Sequence, residues 1–419
     1  MSYFRQRPLL SIVIPTRERG LYLAHSLDTA IACKDPRLEI VVSDNASQDN
    51  TAAIVAGKHD PRIKYVRTPE RVSVSRNFES AFSNASGEYI LYIGDDDAVL
   101  PHVISELLII LSENKPDIVS WPQVSYSWPS DNANGLLRIR RHNLRGGFES
   151  RDPADVMRKV CAGESEGASV HCGCVSRKLV HTITSLAGQY HYYVIPDASA
   201  YGALAFAKSY IYLNRPVTVY GRSPASTTTA LLNGSAAYTT FARENAIDAS
   251  EDYLDLRCRS IFAFGLDGLM LSRRLFGLSS PPVNFEKWKE RIGRDIVSLP
   301  EKIQDEQAGF VNEWLAKHQT GPLTKLIPSS SYSPTKPARR RRRKTSLNRI
   351  AIPATRTFMP NVDSATRMAE YIIGPGDLSW RRPWPLALLR WFGVVIRARL
   401  ANEQWGPTST ELKADGRMH

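Results

Sequence analysis

Three consecutive carboxylates, Asp95, Asp96 and Asp97, stand where an apolar run from Tyr89 to Ile93 stops at Gly94. Adjacent acids at one strand end repel one another, so each makes its neighbour harder to ionise unless a positive group sits beside them. A hard divalent cation, Mg or Mn, suits such all-oxygen ligands, and it usually binds one or two carboxylates together with substrate phosphates. The same acids would also suit a plainer role, capping the helix that Pro101 and His102 open, because carboxylates are favourable at helix N-termini.

The preceding sequence supplies the elements that must position these acids. Leu9 to Ile14 is an apolar run ending in Pro15-Thr16, and a helical pattern follows from Leu21 to Ala32 with Leu23, Leu27 and Ile31 on one face. Leu38 to Val42 is a second apolar run, leading into Ser43-Asp44-Asn45-Ala46-Ser47. A helix is predicted over 50–58, a strand over 63–66, a helix over 74–85, and then the Tyr89 to Ile93 strand. Short apolar strands alternating with amphipathic helices predict an α/β fold with a mainly parallel sheet covered on both faces, whose ligands bind beyond the carboxyl ends of the strands. Thr16 to Arg19, Asp44 to Asp49 and Asp95 to Asp97 all fall at those ends. Asp44 to Ser47 also suits a simple strand-exit turn, and Asp49 is better placed to cap the next helix. Between the first strand and first helix stands Pro-Thr-Arg-Glu-Arg-Gly rather than a glycine-rich phosphate loop, which disfavours nicotinamide dehydrogenases and P-loop ATPases. Phosphates bound here would need a metal at the aspartates to supply charge that loop amides otherwise give.

Four ordered segments, Ser11 to Thr16, Glu39 to Thr51, Ser75-Arg76-Asn77, and Gly87 through Asp95-Asp96-Asp97 to Pro101, resemble the inverting nucleotide-sugar glycosyltransferases of family 2, which have the Rossmann-like GT-A fold. The resemblance extends from the N-terminus to about residue 125. It implies that Thr16 and Asp44 hold the base and ribose of a nucleoside diphosphate sugar, that Arg76 flanks the base, and that Asp95 is the ribose carboxylate. It places Asp96 at the metal ligand. Gly94 replaces the first acid of the usual Asp-X-Asp signature, so either Asp96 or Asp97 can be the principal ligand. Glu18 occupies a donor-site position where many members have Asn, and Arg76 also suits an ordinary solvated helix face. Related enzymes carry their catalytic base in a Pro-Asp or Glu-Asp pair that opens a helix near the acceptor. Pro196-Asp197 matches it, and Asp197 is equally suited to plain N-capping. Pro216 to Gly221, followed by Ser223, resembles the closing segment of the family domain, which places the domain at residues 1–235.

The segment from Tyr126 to Gly147 reads as a loop or β-hairpin insertion that could shape an acceptor cleft. A helix is predicted over Pro153 to Cys161, and His171 is more often a structural histidine than an active one. Residues 236–326 form a helical extension by pattern. Residues 327–350 are a Pro/Ser/Arg-rich linker with a basic block, Arg339 to Arg343 and Lys344. Residues 351–419 form a C-terminal tail. Within it, Trp384 to Leu400 is interrupted by Arg390 and Arg397 and falls short of the about 20 apolar residues a bilayer span needs. It suits lying in a membrane interface, or else a buried domain helix.

The chain has 419 residues, 42% hydrophobic, which bounds it to two or three globular domains, and a net charge of +12 that favours an anionic partner. Five cysteines, few and odd in number, argue against a disulfide framework, and Cys172-Gly173-Cys174, with one intervening residue, is a poor zinc half-site. The N-terminus lacks the pattern of a signal peptide, so a cytoplasmic location is expected, peripheral on an anionic membrane surface through the basic block. Nucleic acid is the weaker partner for that block, and a glycan or lipid-linked acceptor the expected second substrate. The rival class is a nucleotide-sugar-binding protein that has lost transfer.

Overall fold

Leu10–Thr16 (β1) is buried along its whole length, as a continuous apolar run requires of a strand covered on both faces. The computed structural model describes residues 7–130, 135–140, 146–165, 167, 172–193, 198–233, 236–245, 252–323, 349–354 and 359–373. After β1 come α1 (Gly20–Ala32), β2 (Leu38–Asp44), α2 (Thr51–Ala56), β3 (Ile63–Arg67), α3 (Val74–Asn84) and β4 (Tyr89–Tyr92). Each lies within a few residues of its expected position, because each has its own apolar periodicity. Next come β5 (Ala98–Val99), α4 (Pro101–Asn114), β6 (Ile118–Ser120), β7 (Val124–Ser127), β8 (Gly135–Arg140), β9 (Phe148–Arg151) and α5 (Pro153–Cys161). They are followed by β10 (Gly173–Ser176), α6 (Arg177–Ala187), α7 (Ala198–Phe206), β11 (Tyr210–Leu213), β12 (Thr218–Arg222), α8 (Thr227–Asn233) and α9 (Ala236–Asn245). The remainder is α10 (Ile261–Leu275), α11 (Phe285–Val297), α12 (Glu301–Lys317), β13 (Arg349–Ala354) and α13 (Val362–Ile373).

The larger sheet has the order β3-β2-β1-β4-β10-β6-β11-β9. Its first four strands are parallel, and β10 lies antiparallel between β4 and β6. The architecture is therefore α/β, with a parallel half and helices on its flanks, as expected. The register pairs Thr16 with Asp44 and Asp44 with Arg67, so three polar side chains form one row at the carboxyl ends. The predicted insertion after Tyr126 is a hairpin of β7 and β8 within a second sheet, β13-β8-β7-β12-β5.

The C-terminal boundaries need correction. Residues 349–373 were expected to belong to the linker and tail. Instead β13 pairs antiparallel with β8 from Arg349↔Arg140 to Ala354↔Gly135, and α13 packs on α1. Ile352, Val362, Ala365 and Ala369 are fully buried there, and the Tyr126 hydroxyl donates to the Met359 carbonyl at 2.6 Å. A lone strand and a short helix have no sequence signature of belonging to a sheet more than two hundred residues upstream. Pairing with the open edge of β8 and burial of small apolar residues decide it. Helices α10 to α12 lie within the region expected to be a helical extension. Phe264, Trp288 and Trp314 join a core that includes Val13, Val41, Tyr92 and α7, so these helices cover one face of the main sheet. The basic block and Trp384 to Leu400 lie outside the described residues.

Candidate functional site

At the end of β1, the Thr16 hydroxyl donates to Asp95 Oδ2 at 2.8 Å, joining β1 to the acidic turn after β4. Asp95, Asp96 and Asp97 are all buried. Each is held differently. Asp95 Oδ1 pairs with the Arg19 guanidinium at 3.1 Å. Asp97 accepts from the Gly221 amide at 2.6 Å and the Gly94 amide at 2.7 Å. Asp96 Oδ2 accepts from the Ser223 amide at 3.0 Å, while Trp128 Nε1 donates to the Asp96 carbonyl at 3.1 Å. Gly221 is required for this approach, because a Cβ there would lie 1.7 Å from the Asp96 carbonyl oxygen. The Tyr-Gly followed by Ser, visible in the sequence, is thus the backbone clamp on the triplet.

The positive group demanded by three adjacent acids includes one the sequence reading did not select. Arg19, just before α1, reaches Asp95 and also donates to the Ala225 carbonyl and to Thr227 Oγ1. Burial alone would lower its pKa, but Asp95 and Asp96 outweigh burial and raise it. The Asp96 carboxyl is pushed up to about 7 by burial, then by Asp97 and Asp95, against the opposing pull of Arg19. Arg19 therefore offsets the repulsion only in part.

Asp44 is fully buried. Its Oδ2 accepts from the Tyr65 hydroxyl at 2.5 Å and from Arg67 at 3.3 Å, and Oδ1 accepts from the Ser47 amide at 2.9 Å. Glu18 has a left-handed backbone (φ 54°) and turns its carboxylate onto the β2–α2 loop. There it accepts from the Gln48 and Asp49 amides at 2.9 and 3.1 Å and pairs with Arg71 at 2.9 Å. Glu18 thus fixes the loop that follows Asp44. Asp49 caps helices, as its residue type predicts: Oδ2 accepts from the Gly20 amide of α1, and Oδ1 from the Thr51 amide of α2. Arg76 is exposed in the first turn of α3. The adjacent Asn77 ties that helix to the rim, accepting from Ser43 Oγ at 2.8 Å and donating to the Ser43 carbonyl at 3.3 Å. The motif containing Asn77 is visible in the sequence, but its inward direction is not.

Asp197 and His171 lie outside the described residues. The described neighbours of Asp197 are firmly anchored. Glu79 Oε2 accepts from the Tyr190 and His191 amides at 3.0 and 3.1 Å, the Tyr192 hydroxyl donates to the Ala198 carbonyl at 2.7 Å, and the Tyr193 hydroxyl bonds to Asp267.

Among the described residues no group of three or more His, Cys, Asp or Glu side chains forms a ready cation cage. A cation of the Mg or Mn type does not need one when substrate phosphates and water complete its shell. Asp96 fits such a role: it is the acid with the raised pKa, and Oδ1 has no hydrogen-bond partner among the described residues. Asp97 fits less directly, since backbone amides already hold both its oxygens.

The site therefore sets Thr16 and Asp44, at the ends of adjacent parallel strands, beside a buried acidic turn in an α/β domain. Residues 11–180 match the family described as Glycosyl transferase family 2. Over 104 residues, 24% of this chain, the sequence is 33% identical to the GalNAc(5)-diNAcBac-PP-undecaprenol beta-1,3-glucosyltransferase of Campylobacter jejuni, covering 34% of that protein. Over 113 residues, 26% of this chain, it is 26% identical to glycosyltransferase GlyG of Streptococcus pneumoniae, covering 38% of that protein. The chain thus spans about a third of the length of these curated relatives. Among solved structures, S. aureus TarS 1–349 in complex with UDP-GlcNAc aligns over 74% of this chain and 87% of that one, at 13% identity and a TM-score of 0.44.

Proposed function

We propose that this chain is a metal-dependent inverting glycosyltransferase that moves a sugar from a nucleoside diphosphate donor, UDP-linked, to an acceptor hydroxyl in the synthesis of a cell-surface glycan or polysaccharide. The observation that carries this reading is the buried link from Asp44 through the paired Thr16 to Asp95, which gathers the expected donor positions on one rim. In this reading Asp44, with Thr16 and Arg76, holds the nucleoside, and Arg67 is the Asp44 partner that a base edge replaces. Glu18 shapes the loop beneath the base, and Asp95 takes the ribose. Asp96, supported by Asp97, would hold Mn or Mg, which when bound neutralises the diphosphate charge that develops as the sugar leaves. The acceptor oxygen bonds to the anomeric carbon as the bond to the diphosphate breaks on the opposite face, and Asp197 takes the hydroxyl proton.

A lipid-linked acceptor is consistent with the PP-undecaprenol in the name of the C. jejuni relative. No helix among the described residues is long and apolar enough to cross a membrane. The basic block at 339–344 and the 384–400 segment supply a means of peripheral attachment to the anionic cytoplasmic face. The second reading, nucleotide-sugar binding without transfer, draws support from Asp95 and Asp97, whose oxygens are already bonded within the protein.

The test is a thermal-shift panel of nucleotide sugars with and without Mn, followed by turnover of the donor that stabilises most. The wild-type protein should gain stability with one donor in a Mn-dependent way and consume it, while Asp197→Asn keeps the shift and loses turnover. A donor bound but never consumed overturns transfer, and a shift indifferent to chelation overturns the metal.

A further inference from the structure

The two faces of the second sheet differ sharply in chemistry. Tyr126, Leu137, Ile139 and Val219 join the core that α1 and α13 share. Because side chains alternate along a strand, the register puts Ser125 and Ser127 of β7, Arg138 and Arg140 of β8, and Tyr220 and Arg222 of β12 on the opposite face. The three arginines are exposed there, and Tyr220 is half-buried with the Arg222 guanidinium 5.7 Å from its ring centre.

No carboxylate stands at any position of this face on β7, β8 or β12, whose remaining members are Leu136 and Thr218. On β13 the register sets exposed Ala351 opposite Arg138, and Arg349 opposite Arg140. Like charges gathered on one sheet face are unfavourable, so this composition suits a partner that brings negative charge. The basic block at 339–344 leads into the same sheet, since only residues 345–348 separate it from Arg349, the first residue of β13. The face also borders the site: the Gly221 and Ser223 amides, on either side of Arg222, hold Asp97 and Asp96. Its arginines are spread over a broad sheet beside a tyrosine, a residue enriched at headgroup depth, rather than set on a helix that enters a nucleic-acid groove.

We propose that the arginine-bearing face of the second sheet is a docking surface for an anionic bilayer, with Arg138, Arg140 and Arg222 meeting lipid phosphates and Tyr220 lying at headgroup depth. The proposal rests on the peripheral-attachment reading given above and adds a folded surface to it. Docking by this face brings the acidic turn beside the membrane, where a lipid-linked acceptor is presented. Its strength depends on arginine charge, on anionic lipid and on salt.

The experiment is vesicle flotation of the full chain at low and high salt, with vesicles of phosphatidylcholine alone and of phosphatidylcholine and phosphatidylglycerol in equal parts. Wild type should float with the mixed vesicles only, and less so as salt rises. The double variant Arg140→Gln, Arg222→Gln should bind them about twenty- to thirtyfold more weakly, about fivefold for each arginine near the surface. Arg140→Lys with Arg222→Lys keeps the charge and should bind as wild type does. If wild type ignores the mixed vesicles, the attachment reading fails and this surface with it. If wild type binds and the glutamine variant binds equally well, attachment lies elsewhere in the chain and the sheet face alone is overturned. Equal loss in the lysine variant shows an effect of fold rather than charge and overturns it too. Should the glutamine variant melt more than a few degrees below wild type, Arg140→Gln alone, with its expected fivefold loss, decides in its place.

Discussion

Replacing Thr16 by valine isolates the contact on which the site is built. The side chain is buried and donates to Asp95 Oδ2 at 2.8 Å. Valine keeps the shape but has no donor, so a buried carboxylate oxygen loses its partner with almost no change in volume. A hydrogen bond to a charged group is worth about 1.5–3 kcal/mol. Arg19 still pairs with Oδ1 at 3.1 Å, which places the expected loss near the lower end, about 1.5–2 kcal/mol. Thr16→Ser keeps the hydroxyl and drops one methyl, at a cost of about 1 kcal/mol. Urea unfolding followed by tryptophan fluorescence compares the three proteins, and the eight tryptophans provide the signal. The valine variant should unfold at the lowest urea concentration and bind donor more weakly, while the serine variant keeps donor affinity. If the valine protein is as stable as the serine protein, the Thr16–Asp95 bond does not organise the rim and the reasoning fails.

Other substitutions probe the supports. Asn77→Ala leaves Ser43 without two partners and should destabilise by about 1–3 kcal/mol in the same assay; no measurable loss would mean that α3 is not fastened through this side chain. Truncation after residue 348 removes β13 and α13 and exposes the face that Ile352, Val362 and Ala365 cover, so the shortened protein should aggregate, and co-expression of residues 349–373 should restore soluble monomer. His191 is fully buried, and burial lowers its pKa to about 3 from the ordinary 6.5. The unfolded chain therefore binds a proton that the folded chain refuses, so stability present above the unfolded pKa is lost as pH falls towards about 3. Between about pH 7.5 and pH 5 the loss should be about 2 kcal/mol, and His191→Asn should flatten that part of the stability profile.

Helices α10 to α12 and the first half of the sheet were legible because each carries its own periodicity. Leu23 and Leu27 face inward on α1, and Tyr89 to Tyr92 is buried throughout β4, as the apolar pattern requires. The residues at strand ends were legible for the same reason: once Leu10–Thr16 and Leu38–Asp44 are strands, Thr16 and Asp44 must share a rim. Asp49 was legible as a cap because its side chain bonds within a few residues of itself in sequence. The β10 strand, four residues inserted antiparallel between β4 and β6, was not, since nothing local specifies its partners.

By itself, the sequence determined where the acids stand, at the end of an apolar strand, and that a positive charge must meet them, because apolar run lengths and like-charge repulsion are properties of neighbouring residues. Only the tertiary structure decided that Arg19 rather than Arg17 reaches Asp95 and that Glu18 turns onto the β2–α2 loop. It also decided that Gly221 and Ser223 clamp the triplet and that residues 349–373 return to complete the second sheet. Each of these joins groups far apart along the chain or chooses between equivalent side chains. Such contacts form only after loop closure has brought the elements together, and packing then selects the geometry that leaves the fewest buried polar groups unpaired.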